Sequence, residues 1–563
     1  MKVIIVGGVA GGATAAARIR RLNEHAEITV FERSGYISYA NCGLPYYIGD
    51  VITDPEELTL QTPESFFKRF RINMKIHHEV ISIHPERKTV SVKNLENGEI
   101  FEEKYDKLIL SPGAKPTQPR LPGVGMDKLF TLRTVEDTFR IKEYINKNHP
   151  KSAVLAGGGF IGLELAENLR ELGMDVTIVQ RPKQLMNPFD PDMASMIHNE
   201  MRKHGIKLVL GYTVEGFKEK DNGVEVLLKD NPSLQADMVV LAIGVTPDTV
   251  LAKEAGLELG IKESIVVNDR METSVPDIYA AGDAVQVKHY VTGNDALISL
   301  AGPANKQGRI IADNICGGDS RYLGSQGSSV IKVFDMTAAT TGINETNAKK
   351  SGLEVDTVIL SPMSHAGYYP GGKVMTMKVV FEKETYRLLG AQIIGYEGVD
   401  KRIDVLATAI HAGLKATQLK DLDLAYAPPY SSAKDPVNMA GFMIDNIAKG
   451  TLKQWHLEDM DKISKDKSVV LLDVRTVGEF NRGHMDGFRN IPVDELRERI
   501  NEIEKGKPVY LICQSGLRSY IASRILEGNG YETYNFSGGF RFYDAVVNDR
   551  ALIERAYACG MDY

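Results

Sequence analysis

The sequence contains one local pattern twice, and this repeat limits the folds that the chain can adopt. Val3–Gly7 and Ala153–Gly157 are apolar runs that end in glycine, 150 residues apart, and each precedes a stretch compatible with a helix. A second strand follows in both copies, Thr29–Arg33 in the first and Thr177–Arg181 in the second. Two strand–helix–strand openings of this kind predict two doubly wound dinucleotide-binding folds in one chain.

The composition is that of an ordinary globular protein. The chain has 563 residues, 43% hydrophobic and 25% charged, which is enough for about four folding units. Its formal net charge of −7 gives no global attraction to nucleic acid or to an anionic membrane, so we expect neither partner. No apolar run approaches the roughly 18 residues of a membrane span. The N-terminus enters a strand directly, and the four cysteines fit a reducing compartment, so we expect a cytoplasmic protein.

The second glycine turn fits the dinucleotide-binding fingerprint. Gly157-Gly158-Gly159-Phe160-Ile161-Gly162 follows a strand and opens a helix, so its backbone can approach a pyrophosphate at the positive end of that helix. An acid at the end of the next strand would bind a ribose 2′-hydroxyl, but Gln180 stands there, followed by Arg181. Because an arginine tolerates a 2′-phosphate, the sequence leaves NADH or NADPH open.

The first glycine turn departs from this pattern, because Gly7-Gly8-Val9-Ala10-Gly11-Gly12 has valine in place of the middle glycine. Glu32 nevertheless occupies the ribose position. Asp283 follows a glycine after an Ile-Tyr-Ala strand, as in flavin folds that hold the ribityl and phosphate end of FAD, and Ser111-Pro112-Gly113 forms another glycine turn. Together these motifs resemble the FAD- and NAD(P)H-dependent pyridine nucleotide-disulfide reductase family over roughly residues 1–445.

The family resemblance implies a set of cofactor-binding residues. In related reductases an aromatic residue at the position of Phe160 covers the flavin until nicotinamide enters, and a glutamate at the position of Glu164 orients the nicotinamide. Packing within the helix is the alternative interpretation of both. The expected cofactor-binding residues are Gly7, Gly8, Ala10, Gly12, Glu32, Arg33, Val80, Ser111, Gly113, Asp283, Gly157, Gly159, Phe160, Gly162, Glu164, Gln180 and Arg181.

A single cysteine places the chain in one branch of that family. Cys42 lies within Ser38–Tyr46, and no cysteine follows it four residues later, as one does in glutathione-reductase-like members. Cys42 therefore resembles the redox cysteine of the single-cysteine branch, which comprises NADH oxidases, NADH peroxidases and coenzyme A disulfide reductases. A thiolate beside a flavin can attack sulfur and then receive electrons. A buried structural cysteine is the alternative interpretation.

Two features favour the coenzyme A disulfide reductases within this branch. The first glycine turn lacks the histidine that the oxidases and peroxidases carry there. Residues 365–371 and 425–430 resemble the segments that supply two catalytic tyrosines across a dimer, and Tyr368 and Tyr426 match that pair. Phenol donors near Cys42 can stabilise its thiolate or protonate a leaving thiol. We therefore expect a homodimer with tyrosines shared across the interface, although tyrosines outside such a motif are more often packing residues.

The helix after the first glycine turn carries arginines at positions 18 and 21, which share a face. A solvated helix face is the usual meaning of such a pattern. Coenzyme A, however, carries a pyrophosphate and a 3′-phosphate, which arginine forks suit. The resemblance implies coenzyme A or substrate contacts at Thr14, Arg18, Arg21, Ser38, Asn41 and Lys434.

The last 95 or so residues resemble the rhodanese family. Leu471–Arg475 and Gly483–Gly487 match its motifs, and the strand Val509–Ile512 leads into the six-residue loop Cys513–Arg518 and then a helix. Backbone N–H groups in such a loop hold a persulfide anion. Related phosphatases use seven residues, so a loop of six favours sulfur over phosphate. The resemblance makes Cys513 the sulfur carrier and Arg518 the residue that closes the loop.

The predicted architecture is α/β. It comprises two doubly wound dinucleotide-binding domains, for FAD and NAD(P), an α+β dimerisation domain and a C-terminal α/β rhodanese domain. We expect alternating strands such as Lys373–Phe381 in the dimerisation domain, and a lysine-rich linker after it. The expected boundaries are FAD-binding 1–150, NAD(P)H-binding 151–250, FAD-binding (second part) 251–324, dimerisation 325–445, linker 446–463 and rhodanese 464–563.

The fusion of the two modules predicts the function. The chain resembles coenzyme A-disulfide reductases with a fused rhodanese domain, of the type that reduces persulfides and polysulfides. This implies reduction of coenzyme A persulfide, polysulfide or coenzyme A disulfide at Cys42, with Cys513 as sulfur carrier. A reductase for thiol balance with an accessory rhodanese and a non-catalytic redox sensor are the alternatives, and the intact Cys513 loop argues against the sensor. The sulfur donor and the path between the two cysteines stay open. We expect no metal site and assign no role to Cys316 and Cys559.

Overall fold

The chain divides into two units in the computed structural model, which describes residues 1–221 and 223–559. The first unit comprises residues 1–182 and 205–327, and the second comprises residues 183–204 and the chain from 328 onwards. The last four residues of the expected rhodanese domain, 560–563, lie outside the described residues, as does the side chain of Cys559.

The first copy of the repeat forms a parallel sheet of five strands in the first unit. The helix Ala10–Leu22 connects the central strand to its neighbour and packs against the helix Ala301–Ile315. In the central strand of the sheet, Val3, Ile4 and Ile5 are completely buried, as is typical of parallel strands. The strand order is Ile278–Ala280, Lys107–Leu110, Lys2–Val6, Glu27–Phe31 and Asn73–Lys75.

The second copy forms a second parallel sheet with an equivalent order, and the helix Phe160–Glu171 makes the same crossover. The edge strand Leu129–Thr131 and the helix Val135–Asn148 precede residue 151. This sheet therefore begins earlier in the chain than the expected NAD(P)H-binding domain, because Leu129–Thr131 pairs with Met238–Leu241. The strand order is Leu129–Thr131, Met238–Leu241, Ser152–Ala156, Asp175–Gln180 and Lys207–Leu210.

Smaller elements complete the first unit. Two three-stranded antiparallel sheets comprise His78–His84, Thr89–Asn94 and Ile100–Lys104, and Val214–Lys220, Gly223–Leu228 and Asn231–Ala236. Strand pairs join Ile37–Tyr39 to Thr59–Gln61, Ala114–Pro116 to Val245–Pro247, and Val287–Lys288 to Asp295–Ala296. The remaining α-helices are Leu44–Ile48, Pro63–Phe70 and Val250–Glu254.

An antiparallel sheet of five strands forms the centre of the expected dimerisation domain in the second unit. The helix Val399–His411 packs on two of these strands, and the helix Pro191–Lys203, from earlier in the chain, belongs to the same unit. The other helices are Glu345–Lys350 and Pro436–Ala448. The strand order is Ser329–Val333, Met336–Gly342, Leu388–Gly395, Met375–Glu382 and Val355–Leu360.

The expected alternation along Lys373–Phe381 is wrong. The strand Met375–Glu382 is buried on both faces, and the side chain of Lys378 is only 2% exposed. Three carboxylates surround the ammonium group of Lys378, at 3.2, 2.7 and 2.8 Å, and make this burial possible. The carboxylates belong to Asp190, Asp192 and Glu345.

A parallel five-stranded sheet forms the C-terminal part of the second unit. Its helices are Met460–Ile463, Val477–Arg482, Leu517–Glu527 and Gly539–Cys559. The strand order is Gln454–Trp455, Thr533–Phe536, Val509–Ile512, Val470–Asp473 and Arg489–Asn490.

The expected linker, 446–463, contains part of this sheet, so its interpretation as a linker is wrong. Gln454–Trp455 is an edge strand, paired in parallel with Asn535 and Phe536. Trp455 is 2% exposed, and its ring centroid lies 4.4 Å from that of Phe536. The lysines that follow are exposed. Exposed lysines occur both in linkers and at the edge of a domain, so their composition does not distinguish the two.

The predicted fold class is confirmed: two doubly wound parallel sheets, an antiparallel sheet with helices, and a separate α/β sheet at the C-terminus. In the described part of the chain, no helix has both the length and the apolar character needed to cross a bilayer. Among the same residues, no three histidine, cysteine or acidic side chains are grouped as metal ligands.

Candidate active sites

Both glycine turns begin with a backbone conformation that favours glycine. Gly7 has φ +97° and Gly157 has φ +120°. A Cβ atom on Gly7 would lie 2.1 Å from the carbonyl oxygen of Ser111, and one on Gly157 would lie 2.2 Å from that of Ala242. Any side chain at either position would therefore collide with the backbone of a neighbouring strand end.

The last glycine of each turn lets the following helix approach the turn closely. A Cβ atom on Gly12 would lie 2.0 Å from the carbonyl oxygen of Gly7, and one on Gly162 would lie 2.1 Å from that of Gly157. The two turns therefore share the close helix–strand packing of a dinucleotide-binding fold.

The middle position differs between the turns without changing the backbone. Val9 has φ −104° and ψ −143°, and Gly159 has φ −89° and ψ −166°. The helices begin at the equivalent residues Ala10 and Phe160. A Cβ atom on Gly159 would meet nothing within 4 Å, so the second turn leaves open space at the N-terminus of its helix. That space fits a pyrophosphate, which the helix N-terminus attracts.

The polar residues after the second strands make the same contact in both copies. The backbone N–H of Gly8 donates to Oε2 of Glu32 at 2.8 Å, and that of Gly158 donates to Oε1 of Gln180 at 3.1 Å. Gln180 therefore takes the position of Glu32 without its charge. Arg181 beside it is exposed, as expected of a residue able to meet a 2′-phosphate.

A cavity of about 470 Å³ opens beside the first glycine turn. Three predicted cofactor residues, Glu32, Arg33 and Val80, line it. The guanidinium of Arg33 forms an ion pair with Asp248 at 2.8 Å, which holds one wall in place. The size and position of the cavity fit the nucleoside end of a dinucleotide bound at the turn.

Asp283 and the turn Ser111-Pro112-Gly113 both lie beside Arg133, which was not among the predicted site residues. A guanidinium nitrogen of Arg133 lies 2.7 Å from Oδ2 of Asp283, and its Nε donates to the carbonyl oxygen of Ala114 at 3.1 Å. Gly113 has φ +72°, and a Cβ atom on it would approach Arg133 to 3.6 Å. The only sequence signal for Arg133 is its position just after the strand Leu129–Thr131.

Ser111 and Gly113 follow the strand Lys107–Leu110, which pairs with the strand leading to Gly7, and Asp283 follows Ile278–Ala280, the next strand outwards. Ligands of doubly wound sheets bind at this edge. The extended arrangement, from the cavity at Glu32 to Asp283, fits an FAD molecule laid across the edge of the first sheet.

Cys42 lies on a short 3₁₀ turn, Asn41–Gly43, between a strand and the helix Leu44–Ile48. It is exposed and makes no disulfide. Even so, partial burial of the sulfur raises the pKa of the Cys42 thiol, the Glu164 carboxylate raises it further, and Arg133 opposes both. Cys42 thus lies within electrostatic reach of Glu164, on the helix of the second glycine turn.

The environment of Glu164 keeps its carboxyl near the point of half-ionisation at neutral pH. Burial, followed by the nearby Glu167 carboxylate, raises the pKa of Glu164 to about 7. Phe160, one helical turn earlier on the same helix, is half-buried. The two predicted nicotinamide-side residues are therefore on one face of this helix.

The predicted substrate residues of the first unit differ in how far their polar groups are already satisfied. The Oδ1 atom of Asn41 is buried without a hydrogen-bond partner, so it still requires a donor. Arg21 is exposed, whereas Nε of Arg18 donates to Asp313 at 2.8 Å. Thr14 donates to Oδ1 of Asn305 at 2.5 Å.

Ser38 has φ +46° at the start of the cysteine segment. Lys434 belongs to the second unit and is exposed.

The two predicted catalytic tyrosines meet in the second unit. Their hydroxyl oxygens form a hydrogen bond, although Tyr368 and Tyr426 belong to different loops. Tyr368 is 75% exposed and Tyr426 is 45% exposed. The hydrogen bond to Tyr368 raises the pKa of Tyr426.

The predicted sulfur-carrying cysteine lies at the bottom of its loop. Cys513 directly follows the strand Val509–Ile512 and is only 1% exposed. Its sulfur accepts hydrogen bonds from the backbone N–H of Gly516 at 3.1 Å and from the hydroxyl of Ser519 at 3.2 Å. Two donors aimed at one sulfur can hydrogen-bond a persulfide anion at this position. Ser519, which follows the loop directly, was not among the predicted site residues.

Arg518 does not stand alone at the end of this loop. Its two terminal nitrogens donate to the two oxygens of Glu479, each at 2.7 Å. Hydrogen bonds from Arg518, together with those from Thr476, lower the pKa of Glu479 to about 2. The sequence signal for Glu479 was its place in a Thr-x-x-Glu capping box at the start of the helix Val477–Arg482.

The chain belongs to the pyridine nucleotide-disulphide oxidoreductase family. Residues 1–308 match the sequence model of that family, and residues 328–436 match its dimerisation domain. Residues 456–545 match the rhodanese-like domain. Members of the family use FAD and NAD(P)H.

Three similar proteins share most or all of this architecture. Coenzyme A disulfide reductase of Staphylococcus aureus (strain JH9) is 38% identical over 442 residues, which are 78% of this chain and 99% of the relative. The structure of reduced CoADR-RHD from Bacillus anthracis is 48% identical, with a TM-score of 0.95 over 98% of both chains. The NAD-dependent persulfide reductase from A. fulgidus is 38% identical, with a TM-score of 0.90 over 96% of this chain and 100% of that one. These matches confirm the resemblance drawn from the sequence.

Proposed function

We propose that this protein is an FAD-dependent NAD(P)H reductase of disulfide and persulfide substrates, with a sulfurtransferase domain. One observation carries the proposal: the exposed thiol of Cys42 lies at the start of the helix Leu44–Ile48, which packs on the helix that follows the nucleotide-binding turn and carries Glu164. A sulfur nucleophile and a nicotinamide site at one place are what such a reductase requires. Relatives that are a coenzyme A disulfide reductase and a persulfide reductase support the substrate class.

The chain's own residues would hold both cofactors. The first glycine turn, Glu32 and Asp283 would bind FAD, and the second glycine turn with Gln180 and Arg181 would bind NADH or NADPH. FAD supplies the means of passing two electrons from NAD(P)H to sulfur. Phe160 would exclude water and oxygen from this region until the nicotinamide binds, and Glu164 would orient the nicotinamide.

Cys42 performs the reaction on sulfur. Its thiolate attacks a sulfur of coenzyme A disulfide, the S–S bond breaks, and a mixed disulfide of Cys42 and coenzyme A forms while one coenzyme A thiolate leaves. A hydride equivalent from NAD(P)H then reduces the mixed disulfide to the Cys42 thiolate and coenzyme A thiol. With coenzyme A persulfide the same attack releases hydrosulfide or coenzyme A, according to which sulfur is attacked.

Tyr368 and Tyr426 would act at Cys42 of the partner subunit in a homodimer. Both rings are exposed, and they belong to the region that matches the family's dimerisation domain. A phenol O–H beside the reacting sulfur stabilises the Cys42 thiolate or protonates the leaving thiolate. In this proposal, a separated subunit lacks these donors at its own cysteine.

Coenzyme A would bind beside Cys42. The unpartnered Oδ1 atom of Asn41 provides an acceptor, and Ser38 is its neighbour in the chain. Arg21 and the partner's Lys434 would meet phosphates. Thr14 and Arg18 would line the same face, with Arg18 contributing least, because Asp313 already binds its Nε.

Cys513 would carry sulfane sulfur as a persulfide and pass it to coenzyme A or to a small polysulfide. The two hydrogen bonds to its sulfur support this role. The product is then reduced at Cys42 with two electrons from NAD(P)H. A reductase that consumes NAD(P)H and keeps its thiols reduced fits the cytoplasm, as expected from the sequence.

The test is anaerobic NAD(P)H oxidation by the purified holoenzyme with coenzyme A persulfide, coenzyme A disulfide and polysulfide side by side. We expect turnover with all three and the highest kcat/KM with a sulfane-sulfur substrate. A strong preference for coenzyme A disulfide would favour a role in thiol balance. Absence of turnover with any of them would overturn the proposal.

A further inference from the structure

A buried arginine joins the two loops that carry the tyrosine pair. Arg402 lies on the helix Val399–His411 and is 1% exposed. One of its terminal nitrogens, Nη2, donates to the carbonyl oxygens of Ser364 at 2.9 Å and of Tyr430 at 3.3 Å. Ser364 precedes Tyr368 by four residues and Tyr430 follows Tyr426 by four, so one guanidinium holds the backbone of both tyrosine loops.

Further contacts make Arg402 the centre of a network rather than one bridge. Its Nε and Nη2 both donate to Oδ2 of Asp435, at 3.2 and 3.0 Å, and Nη2 also donates to the hydroxyl of Ser431 at 3.2 Å. The hydroxyl of Ser431 donates to Asp435 at 2.7 Å. Asp435 in turn accepts from the backbone N–H of Val437 and caps the helix Pro436–Ala448. The charge of Arg402 is thus buried, paired and hydrogen-bonded.

The two loops also contact each other directly beneath the phenols. The backbone N–H of Ala366 donates to the carbonyl oxygen of Ser431 at 2.9 Å. Both tyrosine rings are exposed on their own subunit. Their hydroxyls form a hydrogen bond at 2.6 Å, and the backbone that Arg402 binds brings the two loops close enough for it.

We propose that Arg402 is a positioning residue for the reductase reaction, which holds the Tyr368 and Tyr426 hydroxyls at the separation the reaction needs. This inference rests on the proposed role of the tyrosines at Cys42. Arginine suits the task because its planar fork reaches several acceptors at once, whereas a lysine ammonium is a point charge. Lysine at position 402 would keep the charge near Asp435 but would lose some of the contacts to the two loops.

The test compares Arg402→Lys with wild type in the full-length holoenzyme. We expect kcat for coenzyme A disulfide to fall about tenfold or more, since small displacements of catalytic groups cost rate. The KM for NAD(P)H should not change, and the dimer should persist on size-exclusion chromatography. Sulfur transfer at Cys513 should also persist, which shows within the same chain that the second unit is folded. An unchanged kcat in Arg402→Lys would overturn the inference.

A double-mutant cycle separates positioning from general damage. If Arg402 acts through the phenols, Arg402→Lys should cause no further loss of kcat in a Tyr368→Phe/Tyr426→Phe background. Independent, additive losses would overturn the inference and leave the proposed role of the tyrosines intact. If the tyrosine double variant itself keeps wild-type kcat, the proposed function of the tyrosines fails, and this inference fails with it.

A matched control is available in the same domain. Lys378 is an equally buried cation held by carboxylates, and none of its described ion pairs involves either tyrosine loop. Lys378→Arg should lower thermal stability, and any effect that it has on kcat should be the same in wild type and in the tyrosine double variant. If Arg402→Lys does not fold, Arg402→Gln/Asp435→Asn removes both buried charges and takes its place in the cycle. The same loss of kcat, absent from the tyrosine background, is then the expected result.

Discussion

The hydroxyl oxygens of Tyr368 and Tyr426 lie 2.6 Å apart, although 58 residues separate them in the sequence. A hydrogen bond this short between two exposed phenols makes one the donor and the other the acceptor. The phenol that donates cannot release its proton without losing this hydrogen bond, so the raised pKa of Tyr426 agrees with Tyr426 as the donor. The two hydroxyls therefore form one unit, able to deliver a single proton to an external group.

Tyr426→Phe should weaken the reductase by removing one half of this unit. We expect kcat with coenzyme A disulfide to fall about tenfold to a hundredfold, since general acid catalysis contributes at least that much. The KM for NAD(P)H should not move. Stopped-flow measurement of NAD(P)H oxidation checks both values. Tyr369→Phe is the matched control, because Tyr369 is the exposed neighbour of Tyr368 and its removal should leave kcat within twofold. Equal rates in the two variants would refute the role of Tyr426.

Cys42→Ser should retain FAD and lose NAD(P)H-dependent turnover with every sulfur substrate. The reason is that serine cannot form a disulfide, and the sequence has no second cysteine near position 42. Flavin absorbance checks cofactor retention, and anaerobic NAD(P)H oxidation checks turnover. Cys316→Ser provides the control, since Cys316 packs against the core of the first sheet and should be dispensable. Near-normal persulfide reduction by Cys42→Ser would sink the mechanism.

Phe160→Ala should speed nicotinamide access or the reaction of the reduced flavin with oxygen. Phe160 is half-buried, and in the proposed function its phenyl ring is the apolar cover that alanine would remove. Oxidase rate in air and KM for NAD(P)H are the measurements. Phe160→Leu keeps an apolar cover and should behave more like wild type. If neither quantity changes in Phe160→Ala, the ring does not gate the site.

Cys513→Ser should stop sulfur transfer from thiosulfate or polysulfide while the chain stays folded. Serine is nearly isosteric, so the hydrogen bonds from Gly516 and Ser519 can persist, but it cannot hold a persulfide. Reduction of pre-formed coenzyme A persulfide at Cys42 should continue. A cyanide-based sulfurtransferase assay checks sulfur transfer at Cys513, and NAD(P)H oxidation in the same sample checks reduction at Cys42. Loss of both activities would mean that the Cys513 persulfide is itself the obligate substrate of Cys42, and persistent sulfur transfer would exclude Cys513 as the carrier.

Glu479→Gln should weaken the sulfur site and remove a pH dependence of stability. The pKa of Glu479 is about 2, below its usual 4.5, because Arg518 binds the ionised form. The ion pair therefore adds stability above pH 4.5 and loses it as the pH falls towards 2. We expect wild type to be more stable than Glu479→Gln at pH 6, with the difference shrinking as the pH falls. Sulfurtransferase kcat should fall because Arg518 loses its bidentate partner.

Chemical denaturation between pH 6 and pH 3 measures the difference between wild type and Glu479→Gln. Glu502→Gln is the control, since Glu502 also binds an arginine in this domain but lies on the surface. A stability difference that stays constant over this pH range would show that Arg518 does not hold Glu479 in its ionised form.

The two glycine turns were predictable because their requirement is local. The positive φ of Gly7 and of Gly157 is a property of the backbone at the residue itself, and it favours glycine. The chain must therefore display these residues in its sequence, in the right order after an apolar strand. The Cys513 loop is readable for the same reason, since its strand, its loop and the first turn of its helix are contiguous.

The sequence left the partners of the site residues open, because they come from distant parts of the chain. Arg133 at Asp283 and Glu479 at Arg518 are ordinary polar residues in ordinary helix or strand-end positions. Nothing in local propensity distinguishes them from solvated residues. Only the folded arrangement puts the guanidinium and the carboxylate of each pair within hydrogen-bond distance.

Lys378 shows most clearly what the tertiary structure decided. The alternating pattern around it predicts a strand with one solvated face, and the strand is there, but Lys378 is buried. The segment 183–204 belongs to the same unit as this strand and brings Asp190 and Asp192 to the ammonium group, with Glu345 completing the cluster. Alternation along a strand shows which residues are polar. It does not show whether water or three buried carboxylates will bind their polar groups. That choice depends on contacts between segments nearly 200 residues apart, which no local pattern contains.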